Sequence, residues 1–350
     1  MAYLRPDYLV AAVRSVVNSG LPPTQLEIIV TKGYASIEEE EELRRLGARV
    51  LIDAHPSLGR QLWRAVALSR APLVAFLDDD DLFESTRLKH VLQVFSARPE
   101  VGFYHNRVTP IDPNGTPVPT ELYGAMETDS FLDRTGPLDG LSIQNSASHR
   151  TLRKCHPWFN LSSMVVRREL LTGPYGHLLE SADASPDTRL YLIALLSGRS
   201  LYLDDRRLTR YRTSAPDWER LATRAWGEVA SVRMSVRLAG QFAPPPWPDQ
   251  FRRLARQLEK RALWADFVVT VEQRRPRAEV MAALERYSGF IVGHPGAVRT
   301  EPTRLFYLIC AGCYLVAPAY GTAILRHAFK SSSISKTARR VTRNPVHPQR

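Results

Sequence analysis

The sequence predicts an α/β fold over residues 1–214 and a helical region after it, and three observations support this prediction. Short runs of aliphatic and β-branched residues alternate with helical periodicity, a pattern typical of a parallel or mixed sheet covered by helices. One apolar run ends in four consecutive aspartates, and from Asp217 onward apolar residues recur only at helical spacing. We therefore expect a sheet domain at 1–214, a helical region at 215–300, and an apolar helix with a basic tail at 301–350.

The strands are predicted where apolar runs lie between turn signals. In chain order they are 26–31, 49–53, 72–77, 101–105, 163–166, 200–203 and 208–211. The helices are predicted where the apolar spacing changes to that of a helix. The first of these helices follows Ser36. The others cover, in chain order, 58–69, 85–95, 186–196, 218–238, 250–273 and 277–287. Residues 110–157 are rich in Pro, Gly, Ser, Thr and Asp, and loops of that length in a domain are usually functional.

The helix after the first strand carries recognisable boundary signals. Ser36 and Glu39 have the spacing of a capping box, and Gly47 marks the exit. The five glutamates at 38–42 are predicted to form a solvent-exposed face of this helix.

Composition excludes several classes of protein. The chain has 350 residues, of which 44% are hydrophobic and 24% charged, so it matches an ordinary globular protein rather than a disordered or collagenous one. Three cysteines are too few for a disulfide framework, and no signal sequence is recognisable at the start. A reducing, cytoplasmic compartment is the simplest expectation.

The net charge of +11 is concentrated at the C-terminal end. An uncharged stretch covers 305–325, and seven Lys or Arg residues follow it without a single acidic residue. These basic residues are not interleaved with aromatic residues, so an anionic membrane surface is a better predicted partner than nucleic acid.

Asp78, Asp79, Asp80 and Asp81 are the sharpest functional signal in the sequence. Ligands of open α/β sheets bind at the carboxyl ends of strands, and here an apolar strand delivers four carboxylates to that edge. A hard divalent cation, Mg²⁺ or Mn²⁺, would make such a cluster tolerable. The alternative is an acidic helix N-terminus, with Asp81 capping the next helix.

Residues 3–214 resemble the family 2 glycosyltransferases, which bind nucleotide sugars on a GT-A fold. Residues 8–17 are similar to the first helix of that family, and 27–30 to its second strand. Residues 76–81, with Arg87 and Leu88 after them, are similar to its Asp-x-Asp motif and the succeeding helix.

The resemblance implies a GT-A-type mixed sheet flanked by helices and a nucleotide-sugar donor. It also implies that Asp80 is the direct metal ligand, and that Asp78 contributes to the metal and to the ribose or sugar. Asp79 is placed beside them at the donor.

Asp187 takes the place of the family's catalytic base, because the segment 185–187 opening a helix and the strand at 208–212 are similar to the corresponding family segments. An acceptor hydroxyl must lose its proton as it attacks the anomeric carbon, and a carboxylate can accept that proton. The alternative is a first-turn helix acid with no catalytic role.

Two features depart from the family pattern. The usual first strand, which carries part of the nucleotide pocket, would lie before Tyr3, so either the start is truncated or this edge is built differently. The acidic pair after the second strand is replaced by Thr31 and Lys32, which leaves the identity of the nucleotide open.

The donor side has three further candidates. Ser57 and Gly59 lie where the family has a loop under the nucleotide base, and a plain turn is the alternative. Arg212, with Arg210 on the same strand face, is predicted to bind a phosphate, with a solvated sheet edge as the alternative.

The acceptor side has four candidates. His105 and Asn106 lie at a strand end, and a structural histidine is the alternative for the first. Trp158 and Asn160 precede a segment where the family often lines its acceptor side, and core packing is the alternative.

The resemblance, together with the acidic cluster and the basic tail, implies a metal-dependent, inverting glycosyltransferase with Mn²⁺ or Mg²⁺ as cofactor and a lipid-linked or surface-glycan acceptor. A nucleotidyltransferase using the same acids and a non-catalytic membrane-associated module are the alternatives. Because nucleotide sugars and the basic tail both favour the cytoplasm, we expect the apolar stretch at 305–325 to lie in the interface or to form a homodimer. A membrane-spanning helix is the alternative for this stretch.

Overall fold

The computed structural model describes residues 6–118, 138–141, 157–182, 185–213, 218–242 and 275–293, together with scattered positions between 252 and 273. The chain divides into two compact units. Unit 1 consists of residues 1–120, 124–213 and 234–250, and unit 2 of the remainder. The boundary predicted at residue 214 stays a prediction.

Unit 1 contains two sheets. The described strands are β1 (Ile28–Lys32), β2 (Ala48–Ile52), β3 (Leu73–Ala75), β4 (Leu82–Phe83), β5 (Val101–Ile111), β6 (Leu138–Leu141), β7 (Met164–Arg167) and β8 (Ser200–Arg212). β1 and β2 pair in parallel as a separate sheet. The larger sheet has the order β3-β7-β5-β8-β4, with β6 also paired to β8. In it only the β5–β8 pair is parallel, so the mixed sheet expected from the sequence is confirmed.

Helices follow or separate the strands in the order expected of an α/β fold. The described α-helices are α1 (Pro6–Val17), α2 (Ile37–Arg45), α3 (Leu58–Leu68), α4 (Arg87–Ala97), α5 (Arg168–Thr172), α6 (Pro186–Leu196), α7 (Trp218–Phe242) and α8 (Arg277–Gly293). Short 3₁₀ helices cover Pro23–Gln25, Leu161–Ser163 and Gly176–Leu178.

One hydrophobic cluster of unit 1 lies between the larger sheet and helix α4. Val91, Val94 and Phe95 of α4 pack with Tyr104 of β5 and Tyr202 of β8. The rings of the two tyrosines are nearly parallel, with centroids 5.8 Å apart. A second cluster packs α1 and α2 against the β1–β2 sheet. Unit 2 has its own small apolar cluster, in which Trp226 donates a 2.9 Å hydrogen bond to Asp266.

β8 is longer than the sequence indicates. Two strands were expected, at 200–203 and 208–211, because the charged residues 204–207 interrupt the apolar pattern. The structure has one continuous strand, since the buried Asp204 accepts hydrogen bonds from Tyr104 and His90. Irregular register with β5 around Asn106 and Arg107 accommodates the charged stretch.

The glutamates of α2 are not all solvent-exposed, which corrects the expectation for this helix. The Glu39 carboxylate pairs with Lys32, whose side chain is wholly buried, and accepts a 2.9 Å hydrogen bond from the Tyr34 hydroxyl. The capping contact also differs, because Glu40 rather than Glu39 accepts from the Ser36 backbone N–H. A buried lysine needs a carboxylate beside it, and α2 supplies one.

Within the described residues, no helix combines the length and the apolar character that crossing a bilayer requires. The apolar stretch at 305–325 and the basic tail lie outside the described residues.

Candidate donor and metal site

The four aspartates follow β3 closely, separated from it by Phe76 and Leu77. β3 is shorter than expected and lies at one end of the sheet order, paired with β7. Asp79, Asp80 and Asp81 are buried, and Asp78 is half-buried. The structure therefore concentrates four carboxyl groups of one loop at the carboxyl end of a strand, as the sequence predicts.

Asp81 belongs to this acidic loop, residues 78–81, and is held by other segments of the chain. Its Oδ1 accepts a 2.8 Å hydrogen bond from the Arg212 backbone N–H, and its Oδ2 a 3.3 Å bond from the Asn160 side-chain amide. Burial and repulsion from Asp80 and Asp78 raise the pKa of this carboxyl well above its usual range. Hydrogen bonds from the Ser162 hydroxyl and the Arg212 N–H oppose that rise.

Asp81 does not cap the following helix, so the structural alternative for it is wrong. α4 begins six residues later, after strand β4, and its N-cap residue is Thr86. The carboxylate of Asp81 instead bonds to the segment before β7 and to β8.

Ser162 lies beneath the start of the acidic loop. Its hydroxyl oxygen accepts a 2.9 Å hydrogen bond from the Asp78 backbone N–H. Its own backbone N–H donates to Asn160 Oδ1 at 2.6 Å, which caps the 3₁₀ helix Leu161–Ser163. Sequence reasoning missed this role of Ser162, although an asparagine two residues before it is a recognisable capping signal.

Arg212 joins several segments around the acidic loop. Its Nε donates to the Asp80 carbonyl at 2.8 Å, and Nη1 donates to the carbonyls of Asp112 and Pro113. The face of Tyr8, in α1, lies 4.3 Å from the guanidinium. These contacts favour a structural role for Arg212, which holds these segments to the acidic loop, over the predicted phosphate contact.

Arg210 is also engaged by the protein. Its guanidinium forms two hydrogen bonds with the carboxylate of Glu84, at 2.7 and 3.2 Å. This ion pair raises the pKa of Arg210 above its usual value.

Ser57 and Gly59 begin helix α3 and contact the segment that leads to α6. The Ser57 hydroxyl accepts from the Arg60 N–H as an N-cap, and the Gly59 N–H donates to the Ala182 carbonyl at 2.8 Å. A Cβ at Gly59 would lie 2.7 Å from that carbonyl oxygen and closer still to the carbonyl of Leu179. Only glycine fits this approach, so its presence here is explained by packing.

Asp187 occupies the first turn of α6, whose bounds match the prediction. The side chain is half-buried, and its Oδ1 accepts from the Thr188 N–H at 2.7 Å. Tyr191 lies one turn later on the same helix face. Its ring is 5.7 Å from that of Trp158, which directly precedes the Asn160 segment. The packing thus links the helix of Asp187 to the segment that holds Asp81.

His105 and Asn106 are both buried in β5. His105 Nε2 lies 2.6 Å from the Phe159 carbonyl and therefore carries the proton, while burial lowers the pKa of the ring to about 4. Asn106 accepts from Arg87 and donates to Thr209. These contacts favour structural roles over the predicted acceptor contacts.

Arg87 is fully buried near the base of the site. Its guanidinium lies 3.9 Å from the Phe83 ring, and Nη1 and Nη2 form no hydrogen bond with the described residues. Burial lowers the pKa of Arg87 to about 10, so it remains charged at neutral pH.

The donor set of the acidic loop fits a divalent cation that the substrate helps to coordinate. Among the described residues, no group of three or more His, Cys, Asp or Glu side chains is arranged to hold a metal ion alone. Mg²⁺ is usually held by one or two carboxylates together with substrate phosphates, and does not require a complete protein cage. Asp78 and Asp80 are the carboxylates that the sequence predicts for such a site.

Two solved glycosyltransferase structures are similar to this chain. Mannosyltransferase PcManGT from Pyrobaculum calidifontis, in complex with GDP-Man and Mn²⁺, has a TM-score of 0.54 at 14% identity, covering 96% of this chain and 84% of that one. S. aureus TarS 1–349, in complex with UDP-GlcNAc, has a TM-score of 0.50 at 13% identity, covering 97% and 90%. At such identities the likeness concerns the fold.

No curated protein sequence matches the chain significantly. Residues 1–157 match the profile described as "Glycosyl transferase family 2". This range contains α1, β1 and the acidic loop, which carry the resemblance to that family in the sequence. Residues 1–157 therefore form a glycosyl transferase family 2 domain, and the chain has the GT-A fold of the two similar glycosyltransferases.

Proposed function

We propose that the protein is a metal-dependent, inverting glycosyltransferase that takes a sugar from a nucleotide-diphosphate donor. The observation that carries this proposal is the buried acidic loop 78–81 at the carboxyl end of β3, inside a family 2 domain. Buried carboxylates repel one another, and a divalent cation together with a diphosphate would offset that repulsion.

Asp80 and Asp78 would hold the metal, with Asp78 also close to the ribose or sugar and Asp79 beside the donor. The cation, when bound, neutralises the negative charge that develops on the departing diphosphate. The protein keeps the loop in place through hydrogen bonds to the backbone of Asp78 and Asp80 and to the side chain of Asp81.

Asp187 would act as the general base. Its carboxylate is half-buried at the start of α6, and the same helix face packs on Trp158 one turn later. A single displacement at the anomeric carbon requires one base on the acceptor side and inverts the configuration.

The acceptor is proposed to be a lipid-linked or surface glycan. The support is the charge of the C-terminal end, where an uncharged stretch is followed by seven basic residues. A basic segment beside an apolar one suits the surface of an anionic membrane. Association as a homodimer through the same stretch would be the other use of its apolar residues.

Titration calorimetry with UDP and with GDP, each with and without Mn²⁺, tests the proposal. UDP and GDP are the nucleotides of the donors bound to the two similar structures. We expect at least one of them to bind more tightly when Mn²⁺ is present. If neither diphosphate binds, while a nucleoside triphosphate and a sugar phosphate together yield pyrophosphate, the protein is a nucleotidyltransferase.

A further inference from the structure

The Asp81 carboxylate accepts hydrogen bonds from two other segments of the chain. We propose that Asp81 is the anchor of the acidic loop and that Asn160 is the positioning residue that holds it, while metal binding falls to Asp78 and Asp80. The proposal rests on the proposed function and adds a role for two residues to it. Asn160 was expected to contact the acceptor, and the structure places its amide on Asp81 instead.

The nitrogen and the oxygen of the Asn160 side-chain amide each form a hydrogen bond. Its Nδ2 donates to Asp81 Oδ2 at 3.3 Å, and its Oδ1 accepts from the Ser162 N–H at 2.6 Å. Asn160 is buried, so neither bond is readily replaced by water. The amide cannot be reversed without losing both bonds, because the Asp81 carboxylate accepts and the Ser162 N–H donates.

The backbone of Asn160 adds a second observation. Its φ of 66° makes it the one non-glycine residue of the described chain in the left-handed region. Such a conformation costs free energy and persists where the surroundings impose it, often at functional sites. Asparagine tolerates this region better than most residues.

The acidic loop is thereby fixed at three points. The Ser162 hydroxyl accepts from the Asp78 N–H, Arg212 Nε donates to the Asp80 carbonyl, and Asp81 is bound through its side chain. The carboxylates of Asp78 and Asp80 project from a backbone that these three contacts hold, which is what preorganised metal binding requires. Both carboxylate oxygens of Asp81 already accept hydrogen bonds that hold the loop in place.

An exchange of the two side chains provides a sharp test. In Asn160→Asp alone, two carboxylates face each other, and in Asp81→Asn alone, two amide nitrogens do. In the double variant the new carboxylate at 160 accepts from the Ser162 N–H and from the new amide at 81. That amide still accepts from the Arg212 N–H. The bond between the two side chains is thus restored with its direction reversed, while the bonds from the Ser162 and Arg212 N–H groups keep their direction.

The measured quantity is the Mn²⁺-dependent gain in UDP or GDP affinity, determined by calorimetry well below each variant's melting temperature. We expect each single variant to lower this gain by about tenfold, the value of one hydrogen bond of roughly 1–1.5 kcal/mol. The double variant should return to within about threefold of wild type, since the restored bond carries the same constraint.

Three outcomes would overturn the proposal. The first is a double variant no better than the worse single variant, which would mean that Asp81 is needed as a charged ligand. The second is unchanged metal-dependent affinity in both single variants. The third is a lower melting temperature with unchanged affinity, which would make the contact merely structural. Wild-type protein without any Mn²⁺-dependent affinity would contradict the proposed function instead.

Ser162→Ala and Ser163→Ala give a second test if the single variants fail to fold. The two serines are adjacent and equally buried, but the Ser163 hydroxyl forms no hydrogen bond with the described residues. Ser162→Ala removes the hydroxyl contacts to the Asp78 N–H and to the Asp81 carboxyl and should lower the Mn²⁺-dependent gain, whereas Ser163→Ala should not. Equal effects of the two substitutions would overturn the proposal.

Discussion

The surroundings of single acidic side chains distinguish a structural carboxylate from a candidate catalytic one. Asp204, another carboxylate downstream of the acidic loop, is buried and accepts hydrogen bonds from Tyr104 and His90. Asp187 is the half-buried carboxylate at a helix start. The proposed role of Asp187 as the base is tested by substitution.

Asp187→Asn should slow sugar transfer by roughly 10²–10⁴-fold and leave donor affinity near wild type, because the amide keeps the shape and loses the proton acceptor. The measurement is the release of UDP from UDP-GlcNAc, or of GDP from GDP-mannose, with water as acceptor. Glu169→Gln, an exposed acid in the first turn of α5, is the matched control. Loss of nucleotide affinity together with activity would refute the assignment.

His105 predicts a pH dependence of stability. Its folded pKa of about 4 lies below the ordinary value of 6.5, so the unfolded chain binds more protons between these values. The free energy of unfolding should therefore fall as pH drops from 6.5 towards 4, by up to about 1.4 kcal/mol per pH unit.

The check is urea unfolding at several pH values in wild type and His105→Gln, which keeps a side-chain N–H for the Phe159 carbonyl. The variant should show a shallower slope over this range. His177→Gln, on an exposed histidine, should keep the wild-type slope. An identical slope in wild type and His105→Gln would show that another group is responsible.

At the scale of elements, the sequence predicts helices better than strand lengths. α6 begins and ends where Pro186 and Gly198 indicate, because those signals are local. β8 is continuous because Tyr104 and His90, from other elements, satisfy the charged residue in its middle. A single sequence does not show which side chains of different elements will form hydrogen bonds with one another.

The acidic loop was predicted in position, but its supports were not. Asp78 and Asp80 could be singled out because four acids at a strand end are chemically unusual. Asn160 and Ser162 lie about eighty residues away and have ordinary side chains, so only the fold reveals that they reach the loop. The prediction that the glutamates of α2 form an exposed face was wrong for the same reason, since Lys32, which pairs with Glu39, comes from another element.

The contact between α3 and the segment 179–182 predicts a strong steric effect. Gly59→Ala would place a methyl group against the backbone carbonyls of Ala182 and Leu179, and backbone atoms cannot move aside cheaply. We expect a loss of about 1–3 kcal/mol in the free energy of unfolding.

Gly289→Ala, in α8, is the matched control, because no atom of the described residues lies within 4 Å of its new Cβ. It should be neutral or stabilise by up to about 1 kcal/mol, as expected for alanine in a helix. Chemical denaturation measures the free energy of unfolding of both variants. Equal stability of Gly59→Ala and wild type would show that α3 and this segment are not in close contact.

At the scale of the whole molecule, the proposed membrane surface depends on the basic tail, which lies outside the described residues. Replacing Arg339, Arg340 and Arg343 by Gln should weaken binding to anionic vesicles by about 1 kcal/mol per charge, or roughly fivefold each. Vesicle co-sedimentation with and without phosphatidylglycerol measures this.

The control replaces three exposed arginines of unit 1, Arg44, Arg45 and Arg49, by Gln. It has the same net charge as the tail variant and should bind anionic vesicles like wild type. Equal binding of wild type to neutral and anionic vesicles would contradict the electrostatic part of the proposal.

The central claim is that the acidic loop binds a divalent cation together with the donor's diphosphate, and Asp80→Ala tests it most directly. The control is Glu41→Ala, which removes an exposed acid of α2. Calorimetry should show that Asp80→Ala abolishes the Mn²⁺-dependent gain in UDP or GDP affinity at an unchanged melting temperature, while Glu41→Ala keeps it. A wild-type gain in Asp80→Ala would contradict the claim.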